Sequence, residues 1–242
     1  MRAPERAVLE YYPMGERASR YAARVDWERH AEREEARYQE GLRHMPDEPD
    51  GRQRQLVRVA AAAGAAGLVR LMQDRRGEAA GWLARSAERY RESFEAAPPE
   101  SWGRLIGAVK SRVLAGDWEG ATDDSRWALA QGPAEASSPI GRYAAALAAL
   151  VLGDDAEAGR LARALQEESD DRFPRPVADA LAALAERDGR RYRDAVRGVL
   201  DSFESREEYL EDVPVADTVL VLEALAERRN LAARPRSPLL PA

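Results

Sequence analysis

The chain has 242 residues, of which 45% are hydrophobic and 33% charged; it has no cysteine and carries a formal net charge of −6. The apolar share is enough to build a core and argues against wholesale disorder. The missing cysteines exclude disulfides, thiolate metal sites and cysteine nucleophiles, and the acidic balance argues against a general phosphate-binding surface.

Alanine, leucine, arginine and glutamate dominate, all good helix formers, whereas isoleucine occurs only at Ile106 and Ile140. An all-α fold is therefore expected. The N-terminal run MRAPERAVLEYYPMGER has no continuous apolar stretch of the signal-peptide kind. Of the most apolar segments, 56–72 contains Arg58 and Arg70, and 143–152 is too short to span a bilayer. The expectation is a cytoplasmic protein that needs no membrane. Lys110 is the only lysine in a chain with 37 basic residues, a bias that a GC-rich genome would explain.

The apolar spacing is helical nearly throughout. Residues 1–44 form an N-terminal charged segment. Pro13 closes its first part, and a helix is expected from about Met14 to His44. Ala18, Tyr21, Ala22, Val25, Ala31 and Tyr38 would be its buried stripe, and Glu28, Arg29, Glu32, Arg33, Glu34 and Glu35 its solvated face. The segment MPDEPDG, 45–51, breaks the pattern.

A helical-hairpin domain is expected over 52–229. Its first helix, 52–73, contains the run AAAGAAG, whose small side chains would let a neighbouring helix approach closely. The return helix, 78–96, carries Leu83, Ala87, Tyr90 and Phe94 in one stripe, and Pro98 and Pro99 end it. A helix over 101–115 is followed by LAGDWEGA, 114–121. The same punctuation returns 37 residues later as VLGDDAEA, 151–158, and more weakly as RDGRRYRDA, 187–195, with its Gly189 displaced by one position. Each glycine would supply the left-handed residue that ends one helix, and each following aspartate would cap the next. One hairpin cannot bury its apolar face alone, so such a repeat implies stacked units. In the 101–133 unit Trp118, Ala121, Ala128 and Pro133 fall on the aromatic, alanine, alanine and proline positions of the tetratricopeptide motif, while Val109 and Arg112 depart from it. The predicted architecture is a tetratricopeptide-like α-solenoid of antiparallel hairpins. An apolar helix over 213–229 closes it, and an extended tail, 230–242, would fold Leu239 and Leu240 back over the last hairpin.

Candidate chemistry is sparse. His30 and His44 stand about 21 Å apart along a straight helix, too far to share a metal. Of the acidic pairs Asp123-Asp124, Asp154-Asp155 and Asp170-Asp171, Asp154 reads as a helix start and the others as solvated. No phosphate-loop, dinucleotide or nucleophile-elbow motif occurs. No cofactor, metal, nucleic acid or membrane partner is implied. Trp118 and Trp127 suit either core packing or a partner's hot spot, and at Trp118 the repeat register favours the core. Trp102, at the mouth of a helix beside Arg104, divides evenly between core and surface. Trp102, Arg104 and Trp127 are thus the candidates for partner contact.

Three segments, SWGRLIGAVKSRVLAGDWEGA, PVADALAALAERDGRRYRDAVRGVLDSFESREEYL and VADTVLVLEALAERRNLAARPRSPLLP, resemble the immunity protein 49 family of bacterial polymorphic toxin systems, down to a terminal Leu240-Pro241 pair. The resemblance runs from about Ser101 to the C-terminus. It implies an all-helical protein that binds and neutralises a cognate toxin, and it brings no catalytic residues. The alternatives are a tetratricopeptide-like adaptor that recognises a peptide and an enzyme with an unrecognised helical active site.

Overall fold

In a computed structural model, which describes residues 25–168, 172–206 and 208–242, the chain is all-α. Ten α-helices and no strand occur among these residues. They are α1 (Trp27–Arg43), α2 (Pro49–Met72), α3 (Arg76–Phe94), α4 (Trp102–Ala115), α5 (Trp118–Leu129), α6 (Pro139–Leu152), α7 (Asp155–Gln166), α8 (Arg175–Ala185), α9 (Gly189–Glu204) and α10 (Asp217–Glu227). Pro13, the expected helical stretch 14–24 with Ala18, Tyr21 and Ala22, and the pair Asp170-Asp171 lie outside the described residues.

Each helix from α1 to α9 packs on the next. Within the series α4 also meets α6, and α6 meets α8. The punctuation works as its chemistry requires. Gly116 and Gly153 end α4 and α6 with φ of 71° and 79°, the left-handed region that only glycine enters without a Cβ penalty. Asp117 then accepts the Gly120 amide at 2.9 Å, and Asp154 the Glu157 amide at 3.1 Å, so each caps the following helix. At the third turn Asp188 caps α9, but Gly189 is already helical and Arg187 takes the left-handed position with φ of 55°.

The small residues of α2 bring α3 in closely. A Cβ on Gly67 would stand 2.6 Å from Leu83 Cγ and 3.3 Å from the Ala79 carbonyl oxygen. Gly67→Ala is therefore expected to cost about 1–3 kcal/mol through overpacking. Gly77, whose added Cβ would meet nothing within 4 Å, is the control. Gly77→Ala should be neutral or gain up to about 1 kcal/mol from helix propensity. Urea unfolding of both variants checks this pair. By length and composition α2 is the one described helix able to cross a membrane; here it packs against α1 and α3 and buries Arg70.

The charged face of α1 is less solvated than its sequence pattern suggests. Glu34 is fully buried, held by Arg33 and Arg37, which also reach Glu211 of the chain segment that returns after α9. Glu28 and Glu35 both pair with Arg70 of α2.

That returning segment, 208–216, corrects the expected helix over 213–229. Val213 and Val215 are not helical; they pack against Ala31, Ala65 and Val69 of α1 and α2. The last helix starts only at Asp217 and ends at Glu227. α10 then lies against α4, α8 and α9, with Val219, Val221, Leu222 and Leu225 at most 1% exposed. The tail turns back along it: the Leu239 carbonyl accepts the Ala216 amide at 2.9 Å, and Leu239 is fully buried. Glu223 pins the tail, its carboxylate accepting the Tyr192 hydroxyl at 2.7 Å and the Ala233 and Arg234 amides at 3.2 and 2.6 Å.

Candidate functional site

Two glycines and the single lysine share one face of α4. Gly103, Gly107, Lys110 and Leu114 follow the i, i+4, i+7, i+11 spacing of one helical stripe. Ala61, Gly64, Ala65 and Leu68 make a comparable stripe on α2, so two helical walls stand back from each other. Phe203, Val213 and Val215 roof the space between them, leaving a half-open cavity of about 320 Å³. An added Cβ at Gly103 would meet nothing within 4 Å, whereas one at Gly107 would run into the Tyr90 ring at 2.6 Å.

Lys110 is the polar centre of this cavity. Its ammonium donates to Asp217 Oδ2 at 2.5 Å and to Thr218 Oγ1 at 3.2 Å, joining α4 to the start of α10. Burial pushes the ammonium's pKa down, but the Asp217 carboxylate outweighs this and holds it above the ordinary value. The group stays protonated at neutral pH and has no lone pair with which to attack a carbonyl. Burial also raises the phenol pKa of Tyr90 and Tyr143 beside it, so neither supplies a phenolate base. Deeper in, Ser111 Oγ donates to Ser86 Oγ at 3.1 Å, and Ser86 Oγ donates to the Ala60 carbonyl at 2.9 Å. The hydroxyls of that wall are therefore already satisfied.

A second, more open cleft of about 750 Å³ lies between α1 and α2. Ala36, Gly41 and Val59 form its apolar part; Arg33, Arg37, Arg43, Arg58 and His44 surround it, with Glu40 the one acid among the lining residues. Several of these groups are committed: Arg33 and Arg37 to Glu34, and Arg43 to Glu40, whose carboxylate also lies 3.0 Å from His44 Nδ1. Arg58 donates to Gln55 Oε1 at 3.5 Å and has no ion pair among the described residues.

No family model, curated protein or solved structure in the comparison matches this chain.

The residues singled out for partner contact are each engaged within the chain. Trp102 packs against the large core, and its indole N–H is buried, with no hydrogen-bond partner among the described residues, next to Gly141 at the start of α6. Arg104 points inward, donating to the Ser93 carbonyl and to Gln53 Oε1, and burial lowers its pKa. Trp127 stacks edge-to-face on Phe94 with centroids 5.4 Å apart, and Arg91 lies 5.0 Å over its ring. Trp118 is half-buried against the core, under the Arg228 guanidinium at 4.3 Å.

Asp124 departs from its expected solvated state. It is 2% exposed and accepts Arg91 Nη1 at 2.7 Å and Arg112 Nε at 3.2 Å, linking α3, α4 and α5. Its α5 neighbour Asp123 points to solvent, as adjacent helical positions diverge by about 100°. Asp155 of the pair Asp154-Asp155 is likewise engaged, with Arg187 and with Arg229. Lys110 stood out in sequence only as a compositional oddity; its spacing from Gly103 and Gly107 was the signal that placed it on a cleared face.

Proposed function

We propose that this chain is a non-enzymatic, cytoplasmic protein-binding module, a tetratricopeptide-like array of helical hairpins that neutralises a cognate toxin by occupying its surface. The observation that carries the reading is the α1–α2 cleft: a basic rim around a small apolar floor in a chain of net charge −6. The excess of arginine over acid around the opening favours an acidic segment of a partner and speeds its encounter. The protonated, ion-paired state of Lys110 supports binding over covalent chemistry, and the likeness of the segments quoted above to the immunity protein 49 family supports the toxin as partner. The inner side of the array is not the binding face in this reading, because α10 already lies on α4 and α8.

The test is co-expression with the toxin encoded beside the gene, followed by affinity capture and a survival assay. A stable complex and protection of the cell are expected. The double variant Arg43→Glu, Arg58→Glu should weaken the complex at least about tenfold, mainly through a slower on-rate, with little change in melting temperature because both positions are exposed. Absence of both complex and protection would sink the reading. Full binding by the double variant would remove the cleft from it. A locus encoding regulators or secretion components would favour the adaptor alternative.

A further inference from the structure

We infer that the cavity between α2, α4 and the returning segment is a binding site for a small amphipathic carboxylate, an apolar chain with one anionic end. Three observations on the cavity lead there. Its volume, about 320 Å³, is at the lower end of the range that holds small ligands, roughly 300–1,000 Å³. Much of its lining is apolar, from glycine, alanine, leucine, valine, Ile106 and Phe203, and its polar groups are largely spent: the Ser86 and Ser111 hydroxyls on each other and on the Ala60 carbonyl, and the Lys110 ammonium on Asp217 and Thr218. A ligand's inner part therefore meets few hydrogen-bonding groups to satisfy.

The charge balance fixes the other end. Four charged residues line the cavity: Lys110, Arg206, Glu211 and Asp217. Asp217 is neutralised by Lys110, and Glu211 by Arg37, with Arg33 Nη2 donating to the Glu211 backbone carbonyl at 2.9 Å. Among the described residues Arg206 alone of these four has no ion-pair partner. It is exposed, and its guanidinium lies 3.7 Å from the Phe203 ring centroid. A guanidinium laid flat on an aromatic ring at the edge of an apolar cavity keeps its N–H fork free for a carboxylate. The occupant is thus a monoanion whose head meets Arg206 and whose chain lies over Gly103 and Gly64.

Isothermal titration of the full chain with octanoate and decanoate, beside neutral 1-octanol, tests this. Saturable binding of the carboxylates and a rise in melting temperature are expected. Arg206→Ala should weaken carboxylate binding about fivefold to tenfold and leave 1-octanol unaffected. Gly103→Leu places a side chain in the open space and raises helix propensity, so it should abolish binding of every probe while melting at or above the wild-type temperature. No binding of either carboxylate to the wild type overturns the proposal, as does undiminished binding by a folded Gly103→Leu variant. Equal affinity for 1-octanol and the carboxylates, insensitive to Arg206→Ala, overturns its anionic part.

Discussion

A chain that stops at Ala216 is expected to lose cooperative unfolding and to aggregate. In sequence the last apolar helix reads as the element that closes the array. In the fold it lies on α4, α8 and α9, and Val219, Val221, Leu222 and Leu225 are all at most 1% exposed. Burying four such side chains is worth roughly 6–12 kcal/mol as an upper figure. The whole stability of a domain is about 5–15 kcal/mol, so removing the helix and its tail consumes most of it. In the intact chain Leu222→Ala alone should cost about 2–5 kcal/mol, the usual penalty of a cavity in a well-packed core. Circular dichroism and calorimetry of both proteins decide the matter. A truncated chain that still melts in one sharp transition would show instead that α10 is a displaceable occupant, and the α4–α8 surface would become the candidate partner site.

What the sequence made legible follows from which interactions are local. Gly116-Asp117 and Gly153-Asp154 could be read because a left-handed helix end and an aspartate cap are written in adjacent residues. The same ending recurs where no glycine announces it. Asp74, Arg187 and Asn230 have φ of 56°, 55° and 59°, and the amide after each bonds back to the carbonyl five residues earlier, at 2.9 Å in all three. The amides of Asp117 and Asp154 do the same, at 3.1 and 2.9 Å. Five helices thus end in one geometry, of which glycine marks two. At Asp74 and Arg187 a side chain bears a left-handed cost of about 1 kcal/mol that packing of the next helix offsets. The degraded third repeat is degraded in sequence only.

The sites were less legible, because their partners are distant in the chain. Lys110 meets Asp217 across 107 positions, and Asp124 meets Arg91 across 33. Helical periodicity says which face a residue occupies, not which element covers that face. Hence Asp124, an apparently solvated acid, became a buried three-helix tie. Arg104, a candidate for partner contact, turned out to bridge Gln53 and Ser93. The helix over 213–229 began late for a similar reason: Val213 and Val215 fit a helical stripe, but their apolar partners lie on α1 and α2, and they meet them from a non-helical segment that turns tightly, the Val215 amide donating to the Val213 carbonyl at 2.8 Å.

Arg70→Met should be the most damaging single change among the charged residues. Arg70 has a side chain only 5% exposed and ties three helices together, donating to Glu28 at 2.9 Å and Glu35 at 2.7 Å on α1 and approaching Glu78 of α3 at 3.6 Å. Methionine keeps much of the packing but leaves three carboxylates near one another, with Arg75 still paired to Glu28 and Glu78, and Glu35 deprived of its Arg70 partner. Losing one partner of a fully buried pair costs about 3–5 kcal/mol. Here the carboxylates keep partial access to water, so about 2–3 kcal/mol is expected at pH 7. The cost should depend on pH in a defined direction. The Arg70 and Gln73 hydrogen bonds hold the Glu28 carboxyl at about 2, below its ordinary 4.5. A depressed carboxylate stabilises the fold above its unfolded value and loses that contribution as pH falls through the folded one. The difference in melting temperature between wild type and Arg70→Met should therefore be largest above about pH 5 and shrink steadily from pH 4.5 toward pH 2. A difference that stays constant across that range would mean that Arg70 acts through its packed stem and not through its charge.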